Sequence, residues 1–340
     1  MKIALSGLNN TDNPAPGIGV AKSLKGFDLI GLSYDVNEPG IYQGLFEKVY
    51  LMPYPTLGYE EFKNRILEIK KDNIDAIIPN LDAELPLYIK YQDEIEKLGI
   101  KTYLPSLKCF EMRDKSKLAK FSEKLGVKHP KTLEITSIDD LIKATKELGF
   151  PIMVKGNYYK AYKANNLDEA IECYYKISNE WGFPLLAQEV ISGIEINYVG
   201  LGDGEKLVGG VGMKKLTTTE LGKVWSAVSI KNEALFQASK KFVETIGWRG
   251  AFEFEAMSDG KDIYLIEINP RFPAWVYFAT SLGVNLPQMM VDLMNSKEVK
   301  PALDYPDEKM YVRYVEETTV DFKDFMQLLS KKEIQGEKNV

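Results

Sequence analysis

The sequence has few of the residues on which metal and nucleophilic chemistry most often depend. Only two cysteines, Cys109 and Cys173, and one histidine, His129, occur among the 340 residues. A zinc site and a Ser-His or Cys-His nucleophile therefore lack the side chains that they require. We expect any chemistry to come from carboxylates, lysines, arginines, backbone amides and hard metal ions.

Long apolar runs and clusters of positive charge are absent from the sequence as well. No run approaches the roughly 18 apolar residues of a membrane-spanning helix, and the N-terminal segment reaches Asn9 too early to hold the core of a secretory signal. The formal net charge is -6, the pI is about 5.3, and the basic residues are scattered. We therefore expect a cytoplasmic protein that binds neither nucleic acid nor membranes.

Residues 1–105 alternate short apolar runs with amphipathic segments. This alternation predicts a parallel, Rossmann-like α/β layer that binds ligands at the carboxyl ends of its strands. Strands are expected at "KIALSG", "DLIGLSYD", "IDAIIPN" and "IKTYLP", and helices at "GVAKSLKG", "YEEFKNRILEIKKDN" and "ELPLYIKYQDEIEKLG".

The remaining chain has a different pattern. Residues 106–185 combine three amphipathic helices with the strand "PIMVKG", which indicates a small α+β unit. Residues 186–310 contain hairpins that turn at Asp203-Gly204 and Asp259-Gly260. Residues 311–340 form a C-terminal extension, and we expect its last ten polar residues to fray.

A row of polar side chains ends the strand in "DIYLIEINPRFPAW". Glu267, Asn269 and Arg271 occupy every second position and so share one face. If the second hairpin is centred on Gly260, Glu253 lies opposite Glu267, and two opposed carboxylates require a cation. Mg²⁺ held by two carboxylates and an amide oxygen would meet that need. A solvated strand end is the alternative, and a register change of one residue would break the pairing.

The segments "FEF" and "IEINPR" resemble the metal-binding end of the ATP-grasp superfamily, particularly the carbamoyl-phosphate synthetase large chain, biotin carboxylase and the ligase of pyrrolysine biosynthesis. The resemblance covers nearly the whole chain. It implies a Rossmann-like pre-ATP-grasp domain (1–105), a small lobe (106–185) and a large lobe with the metal site (186–310), the two α+β lobes enclosing ATP.

The resemblance also implies roles for individual residues. Lys115 and Lys155 would reach the ATP phosphates, while Lys160 and Lys163 stand where the family often has a glycine-rich phosphate loop. The implied ligands of adenosine are the side chain of Gln188, the backbone of Glu189 and Ile191, and the side chain of Glu195. The implied ligands of Mg²⁺, with Mn²⁺ as an alternative, are Glu253, Glu267 and Asn269.

We therefore expect an ATP-dependent ligase that activates a carboxylate as an acyl phosphate and joins it to an amine, with Arg271 and Arg249 steadying the anionic intermediate. Bicarbonate activation and a non-catalytic nucleotide-binding partner are the alternatives. The sequence leaves the oligomeric state open, and the resemblance makes a homodimer one candidate. The incomplete glycine pattern at Gly17–Gly19 argues against a dinucleotide site. Candidates for gripping the amine are Asp35, Asp82 and Glu84.

Overall fold

The computed structural model of the protein describes residues 1–113, 115–156 and 160–336, and the side chains of Lys115 and Ser116 lie outside that description. The chain divides into two compact units. We call residues 1–111, 197–254 and 268–340 the first unit, and residues 112–196 and 255–267 the second. Within the described residues, no helix is long and apolar enough to cross a membrane.

The first unit opens with the expected parallel α/β layer. Its sheet has the strand order β15-β3-β2-β1-β4, in which β1 pairs in parallel with β2 and β4. Its first elements are β1 (Lys2–Ser6), α1 (Gly17–Ser23), β2 (Asp28–Ser33), β3 (Lys48–Leu51), α2 (Tyr59–Lys70), β4 (Ala76–Ile78), α3 (Leu85–Lys90), α4 (Gln92–Lys97) and α5 (Leu107–Glu111).

Apolar spacing positions these helices. Phe62, Ile66 and Ile69 recur on one face of α2 and are all buried, as predicted from the helical period. The predicted single helix over residues 84–99 is wrong, because the backbone leaves helical geometry at Tyr91 (φ -111°, ψ 16°) between α3 and α4. The predicted strand "IKTYLP" is reduced to one bridge between Lys101 and Ala76.

Packing explains the glycines that resemble a phosphate loop. A Cβ at Gly17 would lie 2.2 Å from the carbonyl oxygen of Ser6, so the chain between β1 and α1 requires glycine. At Gly19 a Cβ would lie 3.0 Å from Val276. Both glycines therefore serve close packing within the first unit.

The second unit is a four-stranded antiparallel sheet, order β5-β8-β6-β7, with helices packed against it. The helices match the amphipathic segments expected from the sequence. Its elements are α6 (Lys115–Leu125), β5 (Thr132–Ile135), α7 (Ile138–Leu148), β6 (Ile152–Gly156), β7 (Ala161–Ala164), α8 (Leu167–Trp181) and β8 (Leu185–Glu189).

The strands β9 to β14 form a six-stranded sheet, order β13-β12-β9-β10-β11-β14, whereas β15 joins the first sheet. The chain passes from one unit to the other within β9, β12 and β13. The elements are β9 (Ile194–Asp203), β10 (Leu207–Thr218), β11 (Val224–Ser229), α9 (Glu233–Ile246), β12 (Arg249–Ser258), β13 (Ile263–Asn269), α10 (Val276–Ser281), α11 (Leu286–Met294), β14 (Met310–Val312), α12 (Phe322–Lys331) and β15 (Glu333–Gln335).

The C-terminal segment is ordered where fraying was expected. β15 pairs antiparallel with β3, placing Ile334 opposite Val49, and only 5% of Ile334 is exposed. The prediction of a frayed tail is wrong for residues 333–335, because one buried isoleucine and an open strand edge suffice to dock a polar segment. Residues 337–340 lie outside the described residues.

Candidate functional site

A buried carboxylate with only neutral partners lies at the centre of the first unit's site. Glu253 of β12 is 5% exposed. Its Oε1 accepts hydrogen bonds from Asn197 Nδ2 (2.9 Å) and Trp275 Nε1 (2.7 Å), and its Oε2 accepts one from Asn269 Nδ2 (3.1 Å). No lysine or arginine of the described part of the chain forms an ion pair with it. Buried carboxylates are normally paired or bound to metal, so Glu253 is suited to bind a cation.

The local sequence explains why Glu253 is held there. Its neighbours Phe252 and Phe254 point to the opposite face of β12 and are fully buried, with Phe252 against Phe242 of α9 at 4.9 Å between ring centroids. The period of two then fixes Glu253 on the face that meets Asn197 and Trp275. Aromatic packing on one side of the strand therefore orients the carboxylate on the other.

Two amides beside Glu253 present oxygens suited to a hard cation. Asn269 directs its Nδ2 to Glu253, which turns its Oδ1 away from that carboxylate. Asn197 is fully buried, and no described residue donates a hydrogen bond to its Oδ1. An orphaned buried acceptor next to a buried carboxylate is what a metal or its water shell would satisfy. These residues fit the predicted metal.

Glu267 lies in the part of β13 that belongs to the second unit. The hairpin closes where Asp259 N donates to Asp262 O, so its loop is Gly260-Lys261. The centre of the loop therefore lies between these two residues and not at Gly260, as predicted. The opposition of Glu253 and Glu267 stays a prediction. No group of three or more His, Cys, Asp or Glu suited to a metal is found within the described residues. The predicted set is not such a group, because it contains two carboxylates and an amide.

Arg271 forms an ion pair with Asp82, which lies in the loop after β4. Its Nε and Nη2 donate to Asp82 Oδ2 at 2.8 and 2.6 Å, and its Nη1 donates to the carbonyl of Phe272 at 3.2 Å. Only 12% of the Arg271 side chain is exposed. The guanidinium is thus held in one orientation, and Asp82, a predicted amine ligand, is its ion-pair partner.

Arg249 has different surroundings. Its Nη2 donates to the carbonyl of Thr102 at 3.0 Å, and its guanidinium lies 4.6 Å from the centre of the Tyr103 ring. A longer ion pair of 3.9 Å reaches Glu96. These contacts tie the start of β12 to the segment after α4, and the catalytic role of Arg249 stays a prediction.

The second unit brings two predicted nucleotide ligands together. Lys155 Nζ donates to Gln188 Oε1 at 2.6 Å, and Gln188 Nε2 donates to Thr132 Oγ1 at 2.8 Å. Gln188 is 5% exposed. Burial, and to a lesser extent the charge of Lys155, lowers the pKa of His129. The pairing of β6 with β8 explains these hydrogen bonds, because it sets Met153 opposite Gln188. Lys155, two residues after Met153, lies on the same face of β6.

The other predicted ligands of the nucleotide are distributed along the second unit. Glu189 ends β8, and its Oε1 accepts a hydrogen bond from Lys131 N at 2.6 Å. Ile191 follows β8, and Glu195 lies near the start of β9. Lys115 begins α6, but its side chain lies outside the described residues. Their roles toward the nucleotide stay predictions.

Two side chains that hold Glu253 were not assigned from the sequence. Asn197 and Trp275 each donate a hydrogen bond to Glu253 Oε1. Asn197 could have been found, because it is a polar residue between buried Ile196 and Tyr198 in β9. Trp275 is distant in sequence from Glu253, and no local pattern reveals such a pair.

The predicted fold, a Rossmann-like layer followed by α+β units, is confirmed by the sheet topology and by its likeness to solved biotin carboxylase and ligase structures. Residues 185–318 match the family model described as "ATP-grasp in the biosynthetic pathway with Ter operon". The resemblance to the ATP-grasp superfamily, including the carbamoyl-phosphate synthetase large chain and biotin carboxylase, is thereby confirmed.

Curated relatives include the carbamoyl phosphate synthase large chain of Clostridium acetobutylicum, 23% identical over 248 residues, which are 68% of this chain and 23% of that protein. The chain thus spans less than a quarter of this relative's length.

Solved structures with this fold include the biotin carboxylase domain of Hydrogenobacter thermophilus 2-oxoglutarate carboxylase (TM-score 0.67, 18% identity), determined with MgADP, ADP and bicarbonate; 91% of this chain and 73% of that one are covered. Another is the L-amino acid ligase of Bacillus licheniformis (TM-score 0.64, 16% identity, 88% and 77% covered).

Proposed function

We propose that this protein is an ATP-dependent carboxylate-amine ligase. The observation that carries the proposal is Glu253, a buried carboxylate fixed by three neutral N–H donors beside the orphaned Asn197 oxygen. A carboxylate kept in that state needs a cation. The similarity of fold to an L-amino acid ligase and to a biotin carboxylase domain determined with MgADP supports ATP as the co-substrate.

The residues of the chain have distinct roles in this proposal. Glu253, Glu267 and Asn269 would hold Mg²⁺, or Mn²⁺, which when bound neutralises phosphate charge and orients the phosphates. Asn197 and Trp275 hold the Glu253 carboxylate in one orientation. The ligands of ATP would be Lys115 and Lys155 at the phosphates and Gln188, Glu189, Ile191 and Glu195 at adenosine.

The reaction has two steps. A carboxylate oxygen of the first substrate attacks the γ-phosphorus of ATP, and ADP departs with the electrons of the broken P–O bond. The amine of the second substrate then attacks the acyl phosphate carbon, loses a proton and displaces inorganic phosphate. Arg271, and with it Arg249, would stabilise the negative charge, because a guanidinium fixed before reaction needs no reorientation during it.

Bicarbonate activation is the second candidate. The biotin carboxylase domain with the same fold was determined with bicarbonate, and the curated relatives include carbamoyl phosphate synthase large chains. In this reaction bicarbonate would replace the substrate carboxylate at the γ-phosphorus. We include a cytoplasmic location and a homodimer in the proposal, the latter because that biotin carboxylase domain is described as a dimer.

One experiment separates these functions. ADP release by the purified chain is measured with Mg²⁺ and ATP against a panel of carboxylic acids and amines, with hydroxylamine added in parallel to trap acyl phosphates. A carboxylate-dependent hydroxamate would support the ligase, whereas ADP release with bicarbonate alone would identify the second candidate. ATP binding without turnover under any condition would leave a non-catalytic nucleotide-binding partner and overturn the proposal.

A further inference from the structure

Two acids lie beyond the carboxyl ends of β2 and β4 in the first unit, close enough for the charge of Glu84 to act on Glu38. We call the group formed by Ser33, Tyr34, Glu38, Asn80 and Glu84 the Glu38 pocket. Ser33 Oγ donates to Glu38 Oε2 at 2.7 Å, and the Tyr34 hydroxyl donates to Glu84 Oε2 at 2.5 Å. Carboxyl ends of parallel strands are where such folds bind ligands.

Glu84 is the more deeply buried of the two acids. It is fully buried. Its Oε1 accepts hydrogen bonds from the backbone N–H groups of Asn80 (2.9 Å) and Leu81 (3.0 Å) and from the Ser6 hydroxyl. With Tyr34 on the other oxygen, both oxygens have donors. Burial raises the pKa of Glu84, opposed in part by these hydrogen bonds, and the residue has no free coordinating atom.

Glu38 forms the accessible side of the pocket. It is half-buried, and its carboxyl is hydrogen-bonded by the Ser33 hydroxyl and the backbone of Leu8. No lysine, arginine or histidine among the described residues forms an ion pair with Glu38 or Glu84. Burial, opposed in part by the Ser33 hydrogen bond and reinforced by the charges of Glu84 and Asp35, raises the pKa of Glu38 to about 7.

Two further polar atoms near Glu84 have no described hydrogen-bond partner. Asn80 is fully buried, its Nδ2 donates to the carbonyls of Ser6 and Ile78, and no described residue donates to its Oδ1. The Tyr88 hydroxyl, which can donate as well as accept, is also fully buried without a described partner, and burial, followed by the charge of Glu84, raises its pKa. The pocket thus has a buried acceptor without a donor and a carboxyl without a cation, which a ligand with N–H donors and positive charge would balance.

We propose that the Glu38 pocket binds the primary ammonium group of the amine substrate, with Glu38 as its ion-pair partner. This inference rests on the proposed ligase function. Both oxygens of Glu84 already accept hydrogen bonds, so Glu38 offers the one accessible carboxyl of the two. The loop that carries Asn80 and Glu84 also carries Asp82, the partner of Arg271, so the pocket is joined to the site by one short segment.

The test measures binding of amines to the full chain without ATP, by calorimetry. The probes are ammonium chloride, ethylenediamine and the standard amino acids, each compared with a neutral or des-amino analogue such as ethylene glycol for ethylenediamine and propionate for alanine. We expect at least one amine to bind and its analogue not to bind. Glu38→Gln should weaken that binding by about tenfold or more, because a charged hydrogen-bond partner is lost.

Controls keep the result interpretable. Glu60→Gln changes an exposed acid of α2 and should bind amines as the unaltered chain does. Ser33→Ala keeps the Glu38 charge but removes one hydrogen bond, and it should weaken amine binding by a smaller factor; it serves if Glu38→Gln does not fold.

Each remaining outcome decides the proposal. Unchanged amine affinity in Glu38→Gln, equal binding of the neutral analogues, or no binding by any probe would overturn it. If amines bind in a Glu38-dependent way but never stimulate ADP release, the proposed ligase function fails while the ammonium site stands. If amines stimulate ADP release and Glu38→Gln leaves their KM unchanged, the ligase function stands and the pocket assignment fails.

Discussion

Arg271 and Asp82 are 189 residues apart in sequence, and both Nε and Nη2 of the arginine donate to the same aspartate oxygen, Oδ2. The pair therefore fixes the Arg271 guanidinium just beyond the end of β13 and ties it to the Rossmann-like layer. A carboxylate substrate that binds Arg271 must share it with Asp82. The negative charge of Asp82 then sets how strongly Arg271 attracts a substrate anion.

Asp82→Asn should test that relationship. Asparagine keeps the shape but removes the charge, so we expect a loss of stability of about 1–3 kcal/mol for the partly buried pair. The carboxylate substrate should meanwhile bind more tightly, because Arg271 is no longer neutralised. Chemical denaturation and substrate titration measure the two effects. A matched change, Asp93→Asn on exposed α4, should alter neither. Weaker substrate binding in Asp82→Asn would contradict this account.

The Trp275 indole should act through Glu253. Trp275→Phe keeps most of the packing and removes the N–H that donates to Glu253 Oε1. We expect a stability loss of about 1–3 kcal/mol and a several-fold rise in the Mg²⁺ concentration needed for ADP release. Glu253→Gln should abolish Mg²⁺-dependent turnover while the fold remains. If Trp275→Phe has the same Mg²⁺ dependence as the unaltered chain, Trp275 contributes only packing and does not act on the metal through Glu253.

Lys155 should contribute to nucleotide affinity. Lys155→Met keeps the length of the side chain but removes its charge and its hydrogen bond to Gln188. We expect ATP and ADP affinity to fall by about tenfold or more, since a charged phosphate contact is lost. Fluorescent-nucleotide titration measures the change, and Lys146→Met, at an exposed position of α7, is the control. Equal affinity in the two variants would remove Lys155 from the phosphate site.

Glu38 should make stability fall as pH rises. Its pKa is about 7 in the folded chain and about 4.3 in an unfolded one. The folded state thus holds the proton more tightly, and the free energy of unfolding decreases between pH 4.3 and 7. The decrease is at most about 4 kcal/mol, and less after solvent screening.

Glu38→Gln removes that titration and should flatten the pH dependence. The free energy of unfolding, measured by urea denaturation from acidic to mildly alkaline pH, should decline less in Glu38→Gln than in the unaltered chain. Glu84, Asp35 and Tyr34 face the same carboxyl and remain in both proteins. An identical pH slope in the two proteins would mean that Glu38 titrates normally.

The C-terminal strand should stabilise the Rossmann-like sheet. Ile334 is 5% exposed and pairs with Val49. Ile334→Ala should cost about 2–4 kcal/mol, as expected for truncation of a buried isoleucine. Gln335→Ala, at the exposed neighbouring position, should cost little. Thermal unfolding compares the two, and similar melting temperatures would argue that β15 contributes nothing.

The sequence predicted local structure well wherever a regular period was present. Apolar spacing and turn residues act within a few positions of the chain. They predicted the alternation of strands with amphipathic helices such as α2, the turn after Asp203 and the helix over residues 167–181. It failed at Tyr91 and at β15, where an aromatic contact with Tyr59 and the open edge of β3 supply what local propensity does not.

The sequence alone determined the kinds of chemistry available to this protein: too few histidines and cysteines for zinc or a nucleophile, and acids, an amide and an arginine at alternate positions of one strand. Only the tertiary structure decided which of these residues meet. Asp82 with Arg271, Trp275 with Glu253, and Glu38 near Glu84 are pairs from distant segments. Their contacts depend on how strands and loops pack, and no sequence period encodes that packing.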